Sequence, residues 1–249
     1  MVIAADFSVD RIDYRADKRV CNIFAIDNPY QYFEKPDVFL HLAWQDGFNH
    51  YSKAHIDNLP SHFTFIKKMA EAGCKHIAIM GSMHEVGFFE GSVNEATPCH
   101  PSTPYGISKN TLRKLAEIVC GQNHCILQWL RGFYIVGNSQ YGSSVFSKIT
   151  ESVRAGKSEF PLTKGQNQYD FLDYPVFCEQ VAAAITQNAE QGIINICSGS
   201  PEKLADRVER FIKENNYTIK LQYGAFPDRS YDSKAIWGDS TKIERIMKG

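Results

Sequence analysis

Two tyrosines in this 249-residue chain stand four residues ahead of a lysine: Tyr14 with Lys18, and Tyr105 with Lys109. On a helix that spacing puts both side chains on one face, one turn apart. A free phenol, with a pKa near ~10, is a poor acid or base at neutral pH. An ammonium a few ångströms away stabilises the phenolate and draws that pKa toward working pH. A hydroxyl that holds the reacting oxygen by a hydrogen bond completes the set. Together they move a proton on or off a carbonyl or hydroxyl oxygen, and a hydride carrier would supply the other half of a redox step.

Context separates the two pairs. Tyr14 and Lys18 sit in the charged connector RIDYRADKRV, read as a solvated turn with no serine in reach. Tyr105 and Lys109 open STPYGISKNTLRKLAEIVCG, in which Tyr105, Leu112, Leu115, Ala116 and Val119 recur at helical spacing. Ser82 closes the run HIAIMGS, so its hydroxyl emerges at the rim where that helix begins. The plain structural alternative is a tyrosine capping a core, a small strand-end serine and a solvated lysine.

These residues are positioned by an alternation of strands and helices. VIAAD, DVFLHLAW, HIAIMGS and HCILQWLRGFYIVG read as buried parallel strands. Phe63, Phe65, Ile66, Met69 and Ala70 mark a helix from Leu59 that ends at Gly73. The order predicts a doubly wound α/β domain. After Gly137 the alternation gives way to loop, helix and short strand, then helices at PVFCEQVAAAITQ and PEKLADRVERFIKENN, with the strand GIINICSG between them. The tail from Lys220 reads as loop-rich and aromatic. Residues 1–136 are therefore assigned to the α/β domain and 137–249 mainly to a small lobe over the carboxyl ends of the strands, where open α/β sheets bind ligands, with 173–198 returning to the main sheet.

Composition narrows the class. With 43% hydrophobic and 22% charged residues, this is the make-up of an ordinary soluble globular chain. A net charge of −1 and the absence of a basic run argue against nucleic acid as partner. The apolar stretches are far shorter than the ~20 residues of a membrane span, and no signal-peptide pattern opens the chain. Seven scattered cysteines suggest reduced thiols in a cytoplasm. No CxxC or HExxH proposes a metal site, and the eight dispersed histidines read as surface or satisfied core residues.

HLAW, GSMHEVG, EATPCHPSTPYGISK, LRGFYIVG, NICSGSP and IWGD occur in that order. Together they resemble the extended short-chain dehydrogenase/reductases, or NAD-dependent epimerase/dehydratases, over nearly the whole chain. Within that family the nucleotide-sugar 4-ketoreductases of deoxyhexose pathways are most similar. The resemblance implies a Rossmann-like doubly wound parallel sheet, NAD or NADP as cofactor, a nucleotide-sugar substrate and a homodimer built on helices 59–73 and 105–121. It implies that Tyr105 is the acid/base, that Lys109 is its partner and holds the nicotinamide ribose, and that Ser82 orients the C4 oxygen. Asp6 would take the adenosine ribose, an acid that favours NAD over NADP. Asn22 and Ile23 would lie near adenine, with Asn replacing the usual Asp, and Leu42, Ala43 and Trp44 would line the cofactor. His84, Glu85 and Tyr134 would line the sugar pocket, and Arg229 would meet the diphosphate. In QYDFLDY, Tyr169 stands where the family often carries Arg.

The resemblance also implies a glycine-rich strand-turn-helix, yet no two glycines in the chain are two or three residues apart. VIAAD matches the family's second strand, so the first ~30 residues of the βαβ unit are expected to be missing. A start assigned at an internal Met, or a fragment of a longer gene, accounts for this. The expected consequences are a gap at the centre of the sheet and weak cofactor binding by the polypeptide as written. A 4-epimerase with the same triad, or a non-catalytic Rossmann-like binding module, are the alternatives to a reductase.

Overall fold

The computed structural model describes residues 1–137, 142–227 and 233–249. It opens with β1 (Ile3–Asp6) and β2 (Asp17–Val20), which pair in parallel as a separate two-stranded sheet. Next come the single turn α1 (Pro29–Tyr32), the strand β3 (Phe39–His41), the single turn α2 (Ala54–Asp57) and the helix α3 (Leu59–Glu71). β4 (His76–Ser82), the short β5 (Gly91–Val93), α4 (Pro104–Gln122), β6 (Ile126–Gly132) and β7 (Tyr134–Val136) follow. The second half carries α5 (Val145–Arg154), β8 (Glu159–Pro161), β9 (Gln168–Asp173), α6 (Tyr174–Ile185) and β10 (Gly192–Ile196). It ends with β11 (Pro201–Lys203), α7 (Leu204–Glu214), β12 (Lys220–Gln222), β13 (Ala235–Gly238) and α8 (Thr241–Lys248).

The main sheet has the order β10-β6-β4-β3 and is parallel throughout. β4 is buried along its length because helices cover it, which is why its sequence is a continuous apolar run rather than an alternation. Among the described residues β1 pairs with β2 alone and β3 with β4 alone, so the sheet is interrupted between β1 and β3. α3 buries His62, Phe65, Ile66, Met69 and Ala70, and it packs with α4 over one face of the sheet around Ile77, Ile79 and Trp129. A second core, around Leu130, Phe146, Phe171, Ile194 and Phe211, joins the main sheet to the lobe.

The lobe is a sheet of order β11-β9-β13-β5, with β7 also paired to β9. Its strand β5 comes from the first half of the chain, and β10 from the second half pairs with β6. Several segment boundaries differ from the sequence reading. HCILQWLRGFYIVG is two strands: pairing with β4 and β10 ends at Gly132, Phe133 turns into the core, and Tyr134–Val136 switches to β9. Lys18 lies on β2 rather than in a turn, although Tyr14 is exposed as expected. The helix assigned to PEKLADRVERFIKENN begins only at Leu204, because Pro201–Lys203 pairs with β9. The loop-rich tail contains β12, β13 and α8, of which β13 sits between β9 and β5.

Candidate active site

α4 starts where β4 ends. Thr103 caps the helix by accepting from the Gly106 N–H at 3.2 Å, and Pro104 occupies the first turn, where it needs no amide donor. The turn Met83–Glu85 lies against this end of the helix. A Cβ on Gly106 would fall 2.4 Å from the His84 carbonyl oxygen, so glycine is what lets the helix approach that closely. Ser82, Tyr105 and Lys109 are thereby brought to one rim. The Ser82 hydroxyl accepts from the His84 N–H at 3.3 Å and hydrogen-bonds the Tyr105 phenol. Lys109 is buried, and its Nζ donates to the Met80 carbonyl at 2.8 Å.

The electrostatics differ from the sequence expectation in one respect. Lys109 does not draw the Tyr105 pKa down. Its Nζ is 6.0 Å from the Tyr105 ring centroid and is committed to Met80 and to the Trp44 indole, 3.8 Å from that ring's centroid. Burial raises the Tyr105 pKa, with the Ser82 hydrogen bond opposing it and the Glu85 charge adding to it. Burial also brings Lys109 down to about 7, against an opposing pull from Glu85. The phenol therefore keeps its proton at neutral pH, and the ammonium beside it is close to its own titration point.

Glu85, which the resemblance would put in the sugar pocket, does not line the cavity at this rim. It is fully buried beneath the rim, with Oε2 accepting from Trp129 Nε1 at 2.7 Å and Oε1 from Arg131 Nε at 2.6 Å. Arg131 is equally buried and also donates to the Asn94 carbonyl at 3.1 Å. Arg113 approaches Glu85 to 3.9 Å and donates to Glu117 at 2.6 Å. A carboxylate held by this many donors is a structural hub, and the physical reason is sequence order: Glu85 ends the 3-10 turn that folds back under the strand ends.

His84 and Tyr134 do line a cavity at this rim, together with His50, Phe88, Tyr169 and Ser233. Tyr134 packs on Tyr169 with centroids 4.5 Å apart. Tyr169 stands on β9 beside Asp170, whose carboxylate accepts from the Ser198, Gly199 and Gly238 amides. His50, absent from the sequence candidates, lies parallel to the Tyr105 ring at 5.1 Å, and its carbonyl accepts from the Tyr105 amide at 3.1 Å. No spacing rule points to it, since it comes from the connector between β3 and α2. Arg229 lies outside the described residues.

On the opposite side, Asp6 is exposed at the carboxyl end of β1, with its carboxylate turned back to the Phe7 amide at 2.6 Å. Asn22 caps the turn Ile23–Ala25 by accepting from Phe24 N at 3.1 Å, and Ile23 packs partly into the core. Leu42 follows β3 with 58% of its surface exposed, Ala43 is exposed beside it, and Trp44 is half-buried over Lys109. No glycine-rich pyrophosphate turn occurs in the sequence. Among the described residues no cluster has the make-up of a metal site, and no helix is long and apolar enough to cross a membrane.

Residues 9–197 match the NAD dependent epimerase/dehydratase family. The chain is 42% identical over 220 residues to dTDP-6-deoxy-L-talose 4-dehydrogenase (NAD(+)) of Aggregatibacter actinomycetemcomitans, covering 87% of this chain and 81% of that protein. Among solved structures, UDP-glucose 4-epimerase of Thermotoga maritima with UDP-glucose superposes with a TM-score of 0.81 at 20% identity, covering 98% of this chain and 83% of the other. UDP-glucuronic acid 4-epimerase of Bacillus cereus, in complex with UDP-glucuronic acid and NAD, gives 0.78 at 20% identity, covering 95% and 77%. The likeness to these two structures is one of fold. The chain belongs to the NAD-dependent epimerase/dehydratase family of enzymes, whose Rossmann-like architecture it shares.

Proposed function

We propose that this family member interconverts the C4 hydroxyl and C4 ketone of a nucleotide-linked 6-deoxyhexose, with NAD as its redox partner. The convergence of Ser82, Tyr105 and Lys109 carries this reading, with Tyr105 packed against His50 and His84 of the cavity wall. The 42% identical 4-dehydrogenase supports C4 as the position. The cavity wall supports the deoxyhexose: the described residues that line it are aromatic, apolar, hydroxyl-bearing or histidine, with no lysine, arginine or carboxylate among them. Such a wall suits a neutral sugar carrying a methyl group better than a uronic acid.

NAD, when bound, supplies the site that gives or takes the hydride. Asp6 would hold the adenosine ribose hydroxyls and disfavour a 2'-phosphate, while Leu42, Ala43, Trp44 and Lys109 would meet the nicotinamide end. Ser82 would hydrogen-bond the C4 oxygen. In the reducing direction Tyr105 gives its proton to the alkoxide developing there, and the Lys109 ammonium offsets the phenolate left behind. Burial keeps the Tyr105 phenol protonated at neutral pH, the form that this step requires. His84, His50, Tyr134 and Tyr169 would orient the sugar. Ile107 and Ile118 project from one side of α4 with 44% and 59% of their surfaces exposed, and we place the homodimer contact there. Seven unpaired cysteines suit a reducing cytoplasm.

The test is the protein with NADH and a dTDP-4-keto-6-deoxyhexose. One NADH should be oxidised per sugar reduced, and Tyr105→Phe should lower kcat by roughly 10²–10⁴-fold while keeping the circular dichroism of the parent. C4 epimerisation without net change in NADH would replace this reading with the epimerase. Full activity in Tyr105→Phe would remove the role given to the phenol.

A further inference from the structure

Lys109 raises a packing question. An ammonium has three N–H donors and needs partners when buried, and this one is 4% exposed. One donor goes to the Met80 carbonyl at 2.8 Å. The carboxylate whose charge it feels, Glu85, is already held by Trp129 at 2.7 Å and Arg131 at 2.6 Å. What lies against the ammonium instead is the indole of Trp44, with Nζ 3.8 Å from the ring centroid. Indole is the strongest of the aromatic partners for a cation, and the attraction grows when water is excluded.

The indole is itself fixed. Its Nε1–H donates to His55 Nδ1 at 3.1 Å, and His55 Nε2 lies 2.8 Å from the Asn49 carbonyl. A carbonyl only accepts, so Nε2 carries the proton and Nδ1 the lone pair, which sets His55 in one neutral tautomer. His62 stacks on the indole, 4.6 Å away and 15° from parallel, and its Nδ1 lies 2.9 Å from His41 Nε2. Burial keeps both partners of this second pair neutral, with the His62 pKa brought down to about 4. A charged imidazole there would compete with the ammonium for the same π cloud.

We propose that Trp44 is a positioning residue for Lys109: its indole face seats the ammonium beside Tyr105, and the neutral histidines His55 and His62 hold the indole in place. This goes beyond a lining role for Trp44, and it rests on the part that the proposed function gives to Lys109. The groups that face Lys109 are Glu85 from the turn after β4, Tyr105 from its own helix, His41 from β3 and His62 from α3. Arg131 and Arg113 hold Glu85 from β6 and α4. Trp44→Leu keeps all of these residues and removes the π face together with the donor to His55. Trp44→Phe keeps a weaker one.

Two readouts test this in Trp44→Leu, Trp44→Phe and the parent. The first is the pH titration of the Lys109 side-chain nitrogen in 15N-lysine-labelled protein, assigned by its loss in Lys109→Met. The second is the pH profile of kcat with NADH and the 4-keto sugar. The Lys109 midpoint should fall by about one pH unit in Trp44→Leu and by less in Trp44→Phe, and the alkaline limb of kcat should move with it. An unmoved midpoint in folded Trp44→Phe and Trp44→Leu overturns the proposal even when turnover is normal. A shifted midpoint in a protein that does not turn the sugar over upholds the seat for Lys109 and overturns the substrate reading. If Trp44→Leu does not fold, Trp44→Phe alone decides.

Discussion

At the rim of the main sheet, Glu85 is fully buried and both of its oxygens have committed donors; in the β1–β2 pair, Arg19 reaches Asp17, Glu34 and the Tyr32 carbonyl at the surface. The rim is built from strands of seven residues paired on both sides, whereas β1 and β2 have four residues each and, among the described residues, pair only with one another. A two-stranded sheet is marginal in water, and this one depends on packing Ile3, Ala5 and Cys21 partly against the core. The two regions answer to different demands. Groups that move a proton, the role proposed for Tyr105 and its neighbours, must keep their geometry to a fraction of an ångström, and here they stand on a network that leaves them little freedom. A carboxylate that receives ribose hydroxyls, the role proposed for Asp6, tolerates more movement.

The contrast is broken most severely at Glu85. Glu85→Ala leaves Arg131 Nε and Trp129 Nε1 buried without their acceptor and the Arg131 charge unpaired, a loss of about 3–5 kcal/mol when one member of a buried pair is removed. Melting should fall by roughly 10 °C, with Glu85→Gln milder because one acceptor remains. A change of only a degree or two in both variants would show that the rim is not rigidly determined by this network.

The rim was legible in the sequence because its signals are local. HIAIMGS and the helix from Tyr105 carry their periods within a few residues, and Ser82, Tyr105 and Lys109 follow from strand end and helix face. The lobe was far less so: β5, β7, β11 and β13 are three or four residues long, and each is a strand only because a partner distant in sequence pairs with it. The burial of Glu85 and the place of His50 were not legible for the same reason. Glu85 neighbours His84 in sequence but faces the opposite way, toward Arg131, and His50 reaches Tyr105 only because its connector folds across the helix start. A pattern of residue types carries no record of such contacts.

Acid should find the rim before it finds β1–β2. The pKa of His62 is about 4 in the fold against an ordinary 6.5, and that of His41 is also lowered. Between about pH 4 and 6.5 the unfolded chain binds more protons at these sites than the folded one does, so stability rises with pH across that window. Lys109, at about 7 in the fold against 10.5, extends the rise from about pH 7 to 10.5. Asp13, lowered to about 2 by Arg15, runs in the carboxylate sense: what it adds above pH 3.8 is lost as pH falls toward 2, and its exposure makes that small. Urea unfolding from pH 4 to 9 measures the slope. Replacing His62 by Leu should flatten the acidic arm, and an unchanged arm would mean that the His41–His62 pair is not what titrates.

The smallest change should separate the regions most cleanly. Arg19→Ala removes ion pairs to Asp17 and Glu34, both of them exposed partners, so its effect on global unfolding should be slight. Amide exchange resolves what a melting curve does not, because regions open locally with their own free energies. In Arg19→Ala, the β1 and β2 amides should exchange faster, by at most about fivefold, while those of β4 and β6 keep the parent's rates. Equal acceleration in β4 would join the two sheets into one cooperative unit, with the interruption between β1 and β3 bridged by side-chain packing alone. Acceleration confined to β1–β2 would establish that the adenosine end of the proposed NAD site can loosen while Ser82, Tyr105 and Lys109 stay in register.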